Sequence, residues 1–272
     1  MAKRQIRRPR RRKMAGKRKR KQWDKRRRIV AAVLLLLLFA VSIPFAIQFL
    51  RGRSKLFHTF DSNTFSDKYI VRGVDISHHN SFIDWNRLRE GNISFVYMKS
   101  TEGASHNDRD YRKNYRLAKE AGLKVGTYHF YTFGMDGEGQ AQHFIRGANV
   151  QSQDLVPAID VEHSTVNIFS RDKEFAKRTI GELKRLEQVL YDYFGVHPVL
   201  YTNKECYKMY IKGNFPENPV WICDLHAEPS DGIDNWVIWQ FSHTGKIDGV
   251  ADAVDLNYYR YSFAEFQKML MP

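Results

Sequence analysis

The chain has 272 residues, 14% of them aromatic, and a formal net charge of +14; that length fits one large domain with extensions. Residues 1–28 hold 17 Lys or Arg against one acid, Asp24, whereas the other 244 residues hold 27 bases and 29 acids. The body of the chain is therefore nearly neutral, which argues against a nucleic-acid-binding protein, and no nucleic-acid partner is expected.

The basic tail, residues 1–28, runs directly into residues 29–50, 22 positions without a charge. About 20 such residues span a bilayer as a helix. The basic flank predicts a cytoplasmic N-terminus, with the C-terminal part across the membrane. A cleaved signal peptide is the rival, but its apolar core is shorter and ends in a small-x-small site. The expectation is a single-pass signal-anchor at 29–50, a linker over 51–68 and one domain over 69–272, monomeric and held outside an inner or cytoplasmic membrane.

In the body, an apolar strand is expected over 70–76, with Asp75 near its end, and a short helix capped by Asp84 follows. A second strand over 93–98 leads into Lys99, Thr101 and Glu102. A helix over 108–121 stops at Gly122, and a strand over 123–130 ends in Tyr128, His129 and Phe130. After a helix over 137–150, the strand 155–161 places Asp160 and Glu162 two residues apart. Side chains on a strand alternate, so both carboxylates share a face. The longest helix, 172–194, ends at Gly195. Strand 196–201 and a helix over 204–211 come next, then strands 220–223, 236–241 and 253–256 with little between them, and a closing helix near Phe266.

Eight strands, the first five alternating with helices, predict parallel βαβ units closing as a barrel. An open doubly wound sheet is the alternative, weakened by the absence of a Gly-x-Gly-x-x-Gly loop. Cys206 and Cys223 are compatible with one disulfide or with two free thiols.

Polar residues recur at one place. Asp75, Glu102, His129, Asp160, Glu162, Asp224, Gln240 and Asp255 are all expected at or just past the C-terminal end of a strand, where barrel enzymes build their sites. Tyr128, Tyr201, Trp221 and Trp239 share those ends. Acids at the centre and rings on the walls suit a neutral glycan, and paired carboxylates are what glycoside hydrolysis requires. There is no His-Glu-x-x-His and no Gly-x-Ser-x-Gly, so a metal-dependent hydrolase or deacetylase, or a glycan-binding barrel without turnover, are the lesser alternatives.

The motifs resemble the glycoside hydrolase family 25 lysozymes, the Chalaropsis-type muramidases. The similarity is carried by Arg72-Gly-Val-Asp75-Ile-Ser77, Ile83-Asp84-Trp85, Phe95-Val-Tyr-Met-Lys99-Ser-Thr101-Glu102-Gly103 and Gly126-Thr-Tyr128-His129-Phe130. It continues through Asp160-Val-Glu162, Pro198-Val-Leu-Tyr201-Thr202, Trp239-Gln240-Phe241 and Val254-Asp255-Leu256-Asn257. The resemblance implies a flattened, irregular (β/α) barrel with eight strands and fewer than eight helices. It implies hydrolysis of the β-1,4 bond from N-acetylmuramic acid to N-acetylglucosamine in peptidoglycan, without cofactor or metal. It also implies Glu162 as proton donor, with Asp160, Asp75 and Asp255 assisting, and Tyr128, Trp221, Trp239, Gln240, Tyr201, Glu102 and His129 are the expected substrate contacts. Asn80 and Ser81 stand where many members have Gln-Gly, and Cys223 and His226 alter the wall segment after Trp221.

Overall fold

The computed structural model describes residues 64–272 except 165, 166, 168, 231 and 234. The expected tail and span over 1–50 lie outside the described residues. Among the described residues no helix is long and apolar enough to cross a membrane.

The chain order is β1 (Arg72–Ile76), α1 (Trp85–Glu90), β2 (Ile93–Glu102), β3 (His106–Asn107), α2 (Tyr111–Glu120), β4 (Lys124–Phe130), α3 (Gly137–Gly147), β5 (Ala158–Val161), α4 (Lys173–Phe194), β6 (Val199–Asn203), α5 (Lys204–Cys206), β7 (Val220–Cys223), β8 (Trp236–Gly245), β9 (Val254–Tyr259) and α6 (Phe263–Phe266). The sheet runs β1-β9-β8-β7-β6-β5-β4-β2, and β1 also pairs with β2, so eight strands close on themselves. The two-residue β3 only folds back on β2, through Thr101 and Glu102.

The barrel is not wholly parallel. β9 is antiparallel to both neighbours, β1 and β8. Only residues 246–253 join β8 to β9, and a parallel return needs a crossover of a dozen or more residues. The inversion corrects the expected place of Asp255: it is the second residue of β9, not its end, and it reaches the mouth because that strand runs backwards.

Prolines account for two late strand starts. β5 and β6 begin after Pro157 and Pro198, which have no N–H to give a ladder. The helix expected over 204–211 is α5 followed by a π-helical turn, Tyr207–Ile211, in which Lys212 N–H reaches back to the Tyr207 carbonyl at 2.8 Å. The long α4 is capped as its sequence predicts: Asp172 accepts from the Phe175 amide, and Gly195 closes the helix at φ +73°.

Strand alternation divides the apolar residues into two cores. Phe95, Tyr97, Ala158, Val199, Trp221 and Ile238 fill the barrel interior. Val96, Met98, Ile159, Val161, Leu200 and Trp239 face outward and pack with the helices. The interior is tight enough to demand glycine: a Cβ on Gly126 would lie 2.3 Å from the Tyr97 ring. Both cysteines are free thiols, Cys206 buried and Cys223 half-buried.

Candidate active site

The inward face of the barrel carries its polar residues at one end. On β5, Ile159 and Val161 point at the helices, so Asp160 points inward, and Glu162 keeps that phase just past the strand. The two acids meet Asp75 from β1 and Asp255 from β9 in a pocket of about 70 Å³. Tyr128, Tyr201 and Trp221 form its walls.

Aromatic hydrogen bonds fix amides, and the amides fix acids. Trp221 Nε1 donates to Asn257 Oδ1 at 2.8 Å, and Asn257 Nδ2 donates to Asp75 Oδ2 at 2.7 Å. Tyr201 OH and His243 Nε2 donate to Gln240 Oε1 at 2.8 and 2.7 Å. Gln240 Nε2 is thereby turned toward the acids, donating to Asp75 Oδ2 at 2.8 Å and to Asp255 Oδ2 at 3.4 Å. The Glu162 carbonyl and the Tyr131 carbonyl both accept from Asn167 Nδ2, at 3.2 and 3.0 Å, which ties the end of β5 to the loop after β4.

Four acids in so small and buried a space cannot all ionise. Burial first, and then the charge of Asp255, raise Asp75 well above the carboxylate range. Burial and the neighbouring Glu162 do the same to Asp160, with Lys99 opposing. Glu162 is pushed up to about 7, first by burial and then by Asp75. Burial raises Asp255 to about 6. One oxygen of Asp160, Oδ1, is buried without a hydrogen-bond partner. The site therefore holds carboxyls that retain protons, with one Asp160 oxygen left without a partner.

The other expected residues are placed as follows. Gln240 lies under the acids rather than on the pocket wall. Glu102 stays outside the pocket and pairs with Lys99 Nζ at 2.6 Å. His129 and Trp239 are corrections to the expected substrate contacts, because alternation turns both outward. His129 is fully buried between Thr101 Oγ1 (2.8 Å) and Gln140 Oε1 (3.3 Å), and burial lowers its pKa to about 3. Trp239 Nε1 donates to the Asp224 carbonyl at 2.8 Å and its ring packs on Phe241 and Tyr258. Asp224 is bound to Lys204. The sequence motifs include Lys99 and Asn257 without assigning them a place in the site, and they do not include His243 or Asn167. Asn257 was within reach, being two residues from Asp255 on the same strand face. His243 and Asn167 act through contacts 3 and 36 residues away, for which the sequence carries no signal.

Among the described residues no group of three or more His, Cys, Asp or Glu is arranged to hold a metal ion.

A model of the Glycosyl hydrolases family 25 matches residues 74–250. The YegX protein of Escherichia coli K12 is 30% identical over 206 residues, covering 73% of each chain. The autolytic lysozyme of Clostridium acetobutylicum is 30% identical over 191 residues, covering 69% of this chain and 55% of that protein. Among solved structures, a family 25 glycosyl hydrolase from Bacillus anthracis superposes with a TM-score of 0.69 at 31% identity, covering 77% of this chain and 97% of that one.

Proposed function

The chain belongs to glycosyl hydrolase family 25 and is a glycosidase, and we propose from this that it is a lysozyme of the Chalaropsis type. It cuts the β-1,4 bond from N-acetylmuramic acid to N-acetylglucosamine in peptidoglycan. The observation that carries the reading is Glu162, a carboxyl held to about 7 two residues from Asp160 in a pocket of acids and rings. A carboxyl that keeps its proton near neutrality is what a leaving glycosidic oxygen requires.

In the first step Glu162 gives its proton to the bridging oxygen, and the bond from that oxygen to the anomeric carbon breaks. The acetamido oxygen of the same sugar attacks the anomeric carbon, while the acetamido N–H keeps its proton and donates a hydrogen bond to Asp160, giving a cyclic oxazolinium. The unpartnered Asp160 Oδ1 supports this assisted route over direct attack by water. Water then opens the cyclic intermediate, giving a proton back to Glu162. Asp75 and Asp255 hold the field around the pair, and Tyr128, Tyr201 and Trp221 contact the sugars. Residues 29–50 anchor the domain outside the cytoplasm, a reading supported by the tail's 17 bases and the uncharged run that follows.

The test is mass spectrometry of fragments released from purified peptidoglycan. Muramic acid at the new reducing ends is expected. Reducing-end glucosamine, anhydro ends or free peptides with intact strands would each reject the assigned bond.

A further inference from the structure

Away from the pocket, α2 and α3 border two cavities of about 610 and 380 Å³. Both are lined by Arg112, Arg146 and Gly147, so they form one continuous groove on the outside of the barrel. Its walls carry five basic side chains, Arg109, Arg112, Arg116, Lys119 and Arg146. Only Asp108 and Glu120 oppose them there.

Part of this charge is already neutralised. Arg116 pairs with Glu120 at 2.8 Å, Lys119 with Asp154 at 2.5 Å and Arg109 with Asp110 at 3.4 Å, while Asp108 is taken by His78. Arg112 and Arg146 are exposed and have no carboxylate partner among the described residues. These two free guanidiniums flank the junction of the cavities. A solvated helix face would also show unpaired arginines, so they are not enough alone.

His143 separates the readings. It lines the smaller cavity and is only 6% exposed. Its Nδ1 donates to the Gly103 carbonyl at 2.8 Å, which leaves Nε2 as the ring's other polar atom. That nitrogen is buried with no partner, which interiors seldom tolerate. The N-terminus of α2 opens on the same cavity, and its cap residue Asp110 makes no side-chain bond to the helix amides. Such amides favour an anion.

We propose that the groove binds a polymer carrying both phosphodiesters and free hydroxyls, a poly(alditol phosphate) of the wall whose glycan the pocket cuts. Paired guanidiniums match phosphate oxygens, and a hydroxyl, which can donate or accept, matches the unpartnered His143 Nε2. From Arg112 the groove follows α2 as far as Lys119, a run of roughly 10 Å at 1.5 Å per residue, which suits a chain rather than one small ion. DNA brings phosphates but no free hydroxyl along its backbone. The choice of a wall polymer rests on the proposed activity; the groove's ligand chemistry does not.

Hydrogen exchange of the full chain, with and without poly(glycerol phosphate), tests this. Protection is expected at amides of residues 111–120 and 146–149, and the concentration needed should rise about tenfold or more in Arg112→Glu/Arg146→Glu, as a polyanion contact losing its cations requires. The basic tail is common to both proteins, so the difference isolates the groove. His143→Phe should weaken poly(glycerol phosphate) but not polyglutamate, which has no hydroxyls. Turnover of polymer-free glycan should be the same in wild type and the double variant, and binding reads out even if no turnover is found. No protection in the groove, or protection unchanged in the double variant, overturns the site. Stronger protection by a DNA oligonucleotide at equal phosphate overturns the wall polymer as its ligand.

Discussion

Asp75 and Asp255 are cross-strand partners, their Cα atoms directly opposite in the antiparallel register of β1 and β9. Opposed side chains on such a pair share a face and lie close. Burial raises both, Asp255 to about 6. The pair closes the barrel and at the same time keeps a proton in the site. Gln240 and Asn257 hold Asp75 from the side away from the substrate pocket.

Replacing Asp255 by Asn should therefore lower turnover while leaving the fold intact. The amide keeps the shape and removes one charge from the field felt by Asp75 and Glu162. A loss of about 10- to 100-fold in kcat is expected, as for a group that tunes an acid without being it. Wild-type kcat in a folded variant would remove Asp255 from the site.

The two outward residues separate from the inward ones by a different readout. Trp239→Ala empties a fully buried position in the outer core, so unfolding stability should fall by about 3–5 kcal/mol. Tyr128→Phe keeps the ring against the pocket and removes only its hydroxyl, so kcat/KM should fall with little change in the denaturation midpoint. Equal midpoints for Trp239→Ala and wild type would contradict its place in the core.

The proposed acid–base chemistry uses carboxyls alone. Turnover should survive prolonged EDTA treatment at full rate. Loss that is restored by added zinc would replace this scheme with metal-activated water.

Much of this site was legible in sequence because strand period and chemistry coincide. Asp160 and Glu162 at i and i+2 share a face wherever that strand goes, and the barrel follows from the alternation of strands and helices. The same period, applied from the wrong neighbour, misplaced His129 and Trp239. Tyr128 and Gln240 face inward, so the adjacent His129 and Trp239 face the helices, and the sequence does not say which of two consecutive polar or aromatic residues points in. The direction of β9 is set by the short connection from β8, and only that direction explains how a residue at the start of a strand reaches the mouth. The amide network around Asp75 joins residues 165 and 182 positions apart, a separation that local pattern cannot register.

Glu162→Gln carries the most weight, because it is expected to change activity and stability in opposite directions. The replacement keeps the size of Glu but cannot deliver a proton, so turnover should fall by about 10²–10⁴-fold while glycan binding persists. In the wild type, activity should decline as pH rises through about 7, where Glu162 gives up its proton. Stability follows the same titration. The unfolded carboxyl releases its proton near 4.5 and the folded one near 7, so between those values the folded state holds a proton the unfolded chain has lost. The stabilisation from Glu162 is thus full below 4.5 and is lost as pH rises through 7. The amide in the variant does not titrate. The variant should match wild type at about pH 4 and exceed it at about pH 8, by something on the order of 2 kcal/mol. His129, which is buried neutral and titrates the other way, is common to both proteins and cancels in the difference. Urea midpoints of the two proteins at those two pH values measure this directly. A variant that is inactive but shows the wild-type dependence on pH would mean that Glu162 is not the group whose proton the pocket retains.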